Sequence, residues 1–170
     1  MYCSTDTYSD SGYDVSIASF RTLDSGNNMT TIGGYTIRSA RIEAQRGNLR
    51  AWVSDYLNSH FIETFGPHYL SVELPETCRF RGPLKVELGA LTRTTGPEPH
   101  MRRIIPEDVW EKRIARQISL LDNVTDPPPL IADYRAGNLL IRNTDCLAEA
   151  MCRLGWQDAW VIICYWSDSD

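Results

Sequence analysis

Pro127-Pro128-Pro129-Leu130-Ile131-Ala132-Asp133-Tyr134-Arg135-Ala136-Gly137-Asn138-Leu139-Leu140-Ile141-Arg142 is the stretch from which the architecture is read. Three prolines break any helix and lead into an extended apolar run over 130–134. Ala136-Gly137-Asn138 reverses the chain into 139–142, so the two runs form a β-hairpin. A short helix follows from about Asp145 to Leu154, and Gly155 stops it as a C-terminal cap. The next segment, Ala159-Trp160-Val161-Ile162-Ile163-Cys164-Tyr165-Trp166, is nearly all apolar and β-prone. A strand apolar on both faces belongs inside a sheet covered by helices.

Upstream, Pro106-Glu107-Asp108 opens a helix, with proline suited to the first helical position and the acids to the positive end of the macrodipole. Val109, Trp110, Ile114, Ile118 and Leu121 form its buried stripe. Before it lies an irregular stretch over 92–103, dense in Gly, Pro and polar groups. Leu84 to Leu88 alternates as a strand with Lys85 and Glu87 outward, and 69–74 alternates as another, closed by Pro75. Leu49, Trp52, Val53, Tyr56 and Leu57 recur at helical spacing, with Arg50, Ser54, Asp55 and Asn58 opposite, until Gly66-Pro67 ends the helix. Residues 1–35 carry four Asp against one Arg and no apolar period, and read as a flexible or loosely docked leader. The expected fold is α+β, a mixed sheet with flanking helices. It divides into the leader (1–35), a helical and strand extension (36–83), a core (84–166) and a short tail (167–170).

With 42% hydrophobic and 23% charged residues in a chain of 170, wholesale disorder and fibrous repeats are excluded. The net charge of −5 argues against nucleic acid as a partner, because phosphate binding needs cationic excess. No apolar run is long enough to span a membrane, and Met1 leads into polar residues, so neither a membrane nor a secretory route is expected. The expected location is cytoplasmic. Five scattered cysteines (Cys3, Cys78, Cys146, Cys152, Cys164) form no CxxC pair and lie far from the three histidines, so no structural zinc and no cofactor are expected. A chain of this length needs no disulfide to fold.

The hairpin, the short helix with Glu149-Ala150 and Arg153-Leu154-Gly155, and the terminal Trp160-Val161-Ile162-Ile163 resemble the ParB/sulfiredoxin-like superfamily. Gly96-Pro97-Glu98-Pro99 and the helix from Pro106 are similar to the same group. The resemblance covers about 84–166, is most specific over 127–163, and leaves 1–80 outside. In small members of that group the hairpin leads into Asp-Gly-Asn-His-Arg at the helix start. Here the five positions read Asn143-Thr144-Asp145-Cys146-Leu147, and none matches. The sulfiredoxin version, Gly-Gly-Cys-His-Arg, would place Asp145 at its Cys and Cys146 at its His. The resemblance implies a phosphate on the helix N-terminus, held by close backbone approach and by His and Arg. Thr144 crowds that approach, Leu147 removes the cation, and Asp145 puts a carboxylate where the phosphate would sit. Two negative groups about 4 Å apart repel by roughly 4 kcal/mol at an effective dielectric near 20. A helix terminus returns only about 0.3–1 kcal/mol per anion. Nuclease and kinase activities are therefore not expected.

Asp145 has two readings: a helix N-cap, a role Thr144 can also fill, or a general acid–base group. Cys146 is either a small packed side chain or a thiolate activated by the helix end, against which the Asp145 charge works. Glu149, one turn on, is a solvated acid or the second carboxyl of a pair. His100 joins them as a catalytic candidate if the proline-rich loop folds over this helix. Arg102, Arg103, Asp133, Arg142 and Thr144 are the substrate-binding candidates, with surface charge, salt bridging or capping as their plainer roles. Most of the five tryptophans are expected in the core, with one or two left to line an apolar ligand pocket. The functional expectation is an enzyme acting by general acid–base catalysis on a small non-phosphate organic metabolite, through an isomerisation, cyclisation or hydrolysis. Its alternatives are an inactive binding or regulatory module, and a nucleotide-dependent activity retained by relocated arginines.

Overall fold

The computed structural model describes residues 34–65 and 74–166, the side chains of 60–65 excepted. The readings that fall on 1–33, on Gly66-Pro67, on most of the 69–74 strand and on 167–170 lie outside the described residues. The elements in chain order are α1 (Ile37–Gln45), α2 (Leu49–Phe65), β1 (Cys78–Glu87), β2 (Leu91–Thr92), β3 (Thr95–Gly96), β4 (Arg103–Ile104), α3 (Glu107–Leu121), β5 (Leu130–Arg135), β6 (Asn138–Ile141), α4 (Asp145–Arg153) and β7 (Asp158–Trp166). Five strands form one mixed sheet in the order β1-β7-β5-β6-β2, and β3 and β4 pair separately as a small parallel flap.

Both faces of the sheet are covered, as the apolar runs require. Leu130, Ala132 and Val161 pack with Trp110, Ile114, Leu147 and Met151 of α3 and α4. Ile131 and Ile162 point the other way, onto Val53, Tyr56 and Leu57 of α2. The alternation follows from the period of two along a strand. β7 lies between β1 and β5, which is why it is apolar on both sides. The hairpin closes through Ala136 (φ 47°) and Gly137 (φ 83°), the two positive φ values that a two-residue turn matched to strand twist demands.

Four details depart from the sequence reading or add to it. Pro106 occupies the N-cap of α3 rather than its first helical position, and Gln117 joins the buried stripe beside Trp110, Ile114 and Leu121. Within the extension, Thr36 and Ser39 start α1 by a reciprocal capping box, with bonds of 3.1 and 2.9 Å. Finally, β1 begins at Cys78, so a division at 83/84 falls inside a strand, and the extension helices cover the core sheet itself.

β1 was legible only from Leu84 because it changes face midway. Its register with β7 shifts between Arg81 and Leu84, which inserts one residue. Phe80 therefore packs toward α2, whereas Val86 packs toward α3 and α4, although both are even-numbered. Gly82 makes the bulge possible: at φ 127° a Cβ there would stand 2.7 Å from the Val161 carbonyl oxygen. Before the bulge, Cys78 and Cys164 lie diagonally across the two strands, 6.0 Å apart at Cα, and are joined as a disulfide. Cys146 and Cys152 are free.

Candidate functional site

The hairpin delivers the chain to α4 through Asn143 in a left-handed conformation (φ 60°) and Thr144 at the N-cap. Thr144 is fully buried, and its hydroxyl makes no capping bond to its own helix. Instead its Oγ1 accepts the Ile131 amide of β5 at 3.2 Å. That bond satisfies a buried strand amide and ties the sheet to the helix start. Thr144→Val, nearly the same shape, leaves that amide without its acceptor and is expected to cost about 1–2 kcal/mol. Urea unfolding measures it, with Thr144→Ser close to wild type as the control.

Asp145 is the first residue of α4 and only 3% exposed. Its carboxylate does not cap α4 from outside. It reaches across to the start of the flap, where Oδ1 accepts the amide of Thr94 at 2.6 Å and that of Thr95 at 2.9 Å. The Thr94 hydroxyl lies 3.4 Å from the same oxygen and donates to the Ile141 carbonyl at 3.0 Å. Burial raises the Asp145 pKa, and the amide bonds from Thr94 and Thr95 pull against that rise without cancelling it. Two main-chain donors at the start of the flap are thus engaged by a carboxylate built into the chain.

The neighbouring groups are similarly committed. Cys146 is buried, and its pKa is pushed up to about 11, first by burial and further by the Asp145 charge, with Arg113 and Arg93 opposing. Both effects work against a thiolate, in the direction of the packed reading of this side chain. Glu149 faces two arginines, with Arg153 Nε at 3.0 Å and Arg93 Nε at 3.6 Å. Arg153 also holds Glu111 of α3 through two bonds of 2.6 and 2.7 Å. Arg93 pairs in turn with Glu98, and its guanidinium carbon stands 5.2 Å from the Trp110 ring centroid. Burial acts to raise the Glu98 pKa. Its own backbone amide, Arg93 and the His100 charge together outweigh burial and hold it below the usual carboxylate range. The chain of charges Glu98–Arg93–Glu149–Arg153–Glu111 thus staples the flap, α4 and α3 together. Each half-exposed pair adds little by itself, but the network fixes their relative positions.

The sequence candidates separate into three groups. Thr144, Asp145, Cys146 and Glu149 come together at the start of α4. Asp133 and Arg142 form a bidentate pair across the hairpin, with both bonds at 2.8 Å, and Arg135 adds a third charge at 3.7 Å from Asp133. Hairpin bridging is therefore their observed role. His100, Arg102 and Arg103 are exposed on the flap, whose base rather than its tip meets Asp145. Sequence reasoning passed over Thr94, Thr95, Arg93, Glu98 and Glu111. Only the Glu149–Arg153 link carried a local signal, the i,i+4 spacing of an acid before a base.

Two concavities lie elsewhere. One, of about 380 Å³, runs between the α1–α2 corner and the outer edge of β1, beside Arg50 and Cys78. Arg50 there spends its guanidinium on main-chain oxygens, including Leu74 at 2.8 Å and Cys78 at 2.9 Å. The other, of about 310 Å³, is walled by Trp156, Trp160, Met151 and Pro128, with Arg41 at its rim. Asp145 lines neither. Among the described residues, no group of three His, Cys, Asp or Glu side chains is placed to hold a metal. Compared with known proteins, the chain matches no family model and no curated protein.

Proposed function

We propose that this chain is a ParB/sulfiredoxin-like binding module whose anion turn is closed by its own carboxylate. The observation that carries this reading is the pair of bonds from the Thr94 and Thr95 amides to Asp145 Oδ1. Leu147, fully buried beneath the same turn, occupies the position of the lost cation. A phosphate entering here would have to displace a bonded carboxylate or share its donors, and repulsion at such distances exceeds the attraction of the helix end. The partner is a small molecule held elsewhere on the fold. Nucleic acid and membrane are not part of this reading. Among the described residues, no helix is long and apolar enough to cross a membrane.

Isothermal titration with ATP and CTP plus magnesium tests the closure. No saturable binding tighter than about 1 mM, ~4 kcal/mol of affinity, is expected. Micromolar binding of either nucleotide would overturn it.

A second reading, general acid–base catalysis on a small non-phosphate organic molecule, rests on the raised pKa of the buried Asp145. It requires the flap to lift so that substrate reaches the carboxyl. Turnover lost in Asp145→Asn while unfolding stability and circular dichroism stay near wild type would favour this reading over the module. The cytoplasmic expectation carries a physical condition, since disulfides such as Cys78–Cys164 persist chiefly in oxidising compartments.

A further inference from the structure

We propose that the concavity between α1, the 125–128 loop and the start of β7 binds a small organic acid with a flat apolar body. It deepens, and rests on, the binding-module reading by naming the ligand class. At about 310 Å³ it lies at the small end of ligand pockets, which run to roughly 300–1,000 Å³, so it suits a single small molecule rather than a peptide. Trp156, Met151 and Pro128 give it apolar walls.

Its charges are not equivalent. Lys85 is neutralised by Asp158 at 2.7 Å. Asp126 accepts the main-chain amide of Arg38 at 3.2 Å, at the beginning of α1, and keeps its negative charge, with no ion pair among the described residues. Arg41 has no carboxylate partner among the described residues; its guanidinium carbon lies 4.1 Å from the centroid of the Trp160 ring. A guanidinium held against an aromatic face loses little of its hydrogen-bonding capacity and keeps its N–H groups for other acceptors. A planar carboxylate can take two of those donors at once, which neither a hydroxyl nor an amide can do. Apolar walls beside the Arg41 guanidinium therefore favour an acid joined to a ring or a flat hydrocarbon, seated with its carboxylate on the Arg41 side of the concavity and its apolar body toward Asp126. Arg41 is the specificity-determining residue, and Trp160 is its platform.

The test is isothermal titration of the whole chain with phenylacetate, phenyl phosphate and benzyl alcohol. Phenylacetate should bind saturably with Kd below about 1 mM and at least roughly tenfold tighter than benzyl alcohol. Arg41→Gln should remove that preference while leaving benzyl alcohol binding and thermal unfolding unchanged, and Trp156→Ala should weaken both ligands together. Equal binding of phenylacetate to wild type and Arg41→Gln overturns the proposal, as does the absence of saturation with every probe. Tighter binding of phenyl phosphate overturns the carboxylate assignment. Failure here is separable from failure of the module reading: nucleotide binding at the α4 turn sinks only the latter, and its absence together with no phenylacetate binding sinks only this site.

Discussion

Asp145→Ala is expected to lower the unfolding free energy by about 2–4 kcal/mol, read as a shift of the urea midpoint at constant slope. The substitution strips the acceptor from two flap amides held at 2.6 and 2.9 Å. Each buried donor left without a partner costs roughly 1–3 kcal/mol, and the relief of one buried charge offsets part of the sum. The carboxylate's pH response has a defined sign. Because burial raises its folded-state pKa above the unfolded value, its contribution is fullest below the unfolded carboxylate value of about 3.9 and is lost as pH rises through the folded value. Measured against Asp145→Asn, which cannot titrate there, the wild type should therefore gain relative stability as pH falls from 7 toward 4. A relative loss over that range would mean that the amide bonds outweigh burial, and that Asp145 is a bound anion rather than a strained one.

Reduction of Cys78–Cys164 is the second large effect. The bond closes a loop across a sequence separation of 86 residues. Chain entropy for a loop of that length is worth about 4–5 kcal/mol, of which native disulfides commonly deliver 2–4. Among the described residues β1 pairs within the main sheet with β7 alone, so the bond secures a strand with one hydrogen-bonded neighbour there. Unfolding in urea with and without reductant measures the effect, and the Cys78→Ser/Cys164→Ser double variant should be indifferent to reductant. Identical midpoints for the oxidised and reduced wild type would show that β1 is held by pairing and packing alone. Arg79, Arg81 and Lys85 along β1, with the Gly82 bulge, also discourage another chain from adding to that edge.

The candidate site divides sharply between what spacing can reveal and what it cannot. The α2 stripe of Leu49, Trp52, Val53, Tyr56 and Leu57 is buried as its period requires. Ala136-Gly137 turns the hairpin, and β7 lies inside the sheet as its unbroken apolar run demands. These are local signals, since each element's own side chains state which face is wet. Asp145 was visible as a carboxylate at a helix start, but its partners were not, because Thr94 and Thr95 contribute main-chain amides that every residue type except proline possesses. Their separation of about 50 residues removes any periodic trace. Arg93 and Glu98 likewise sat in a loop whose composition says only that it is a loop.

By itself, the order of residues determined α2, α3 and α4, the hairpin, the buried strand and the acid at the mouth of α4, because hydrophobic period and turn chemistry act over a few residues. Only the tertiary structure decided that this acid is consumed by the flap, that β1 changes face at Gly82, and that Arg41 stands over Trp160 with no carboxylate partner among the described residues. Those outcomes depend on which distant backbone and side-chain groups meet once the sheet is assembled. Charge and hydrogen-bonding capacity are spent on partners that no local pattern names.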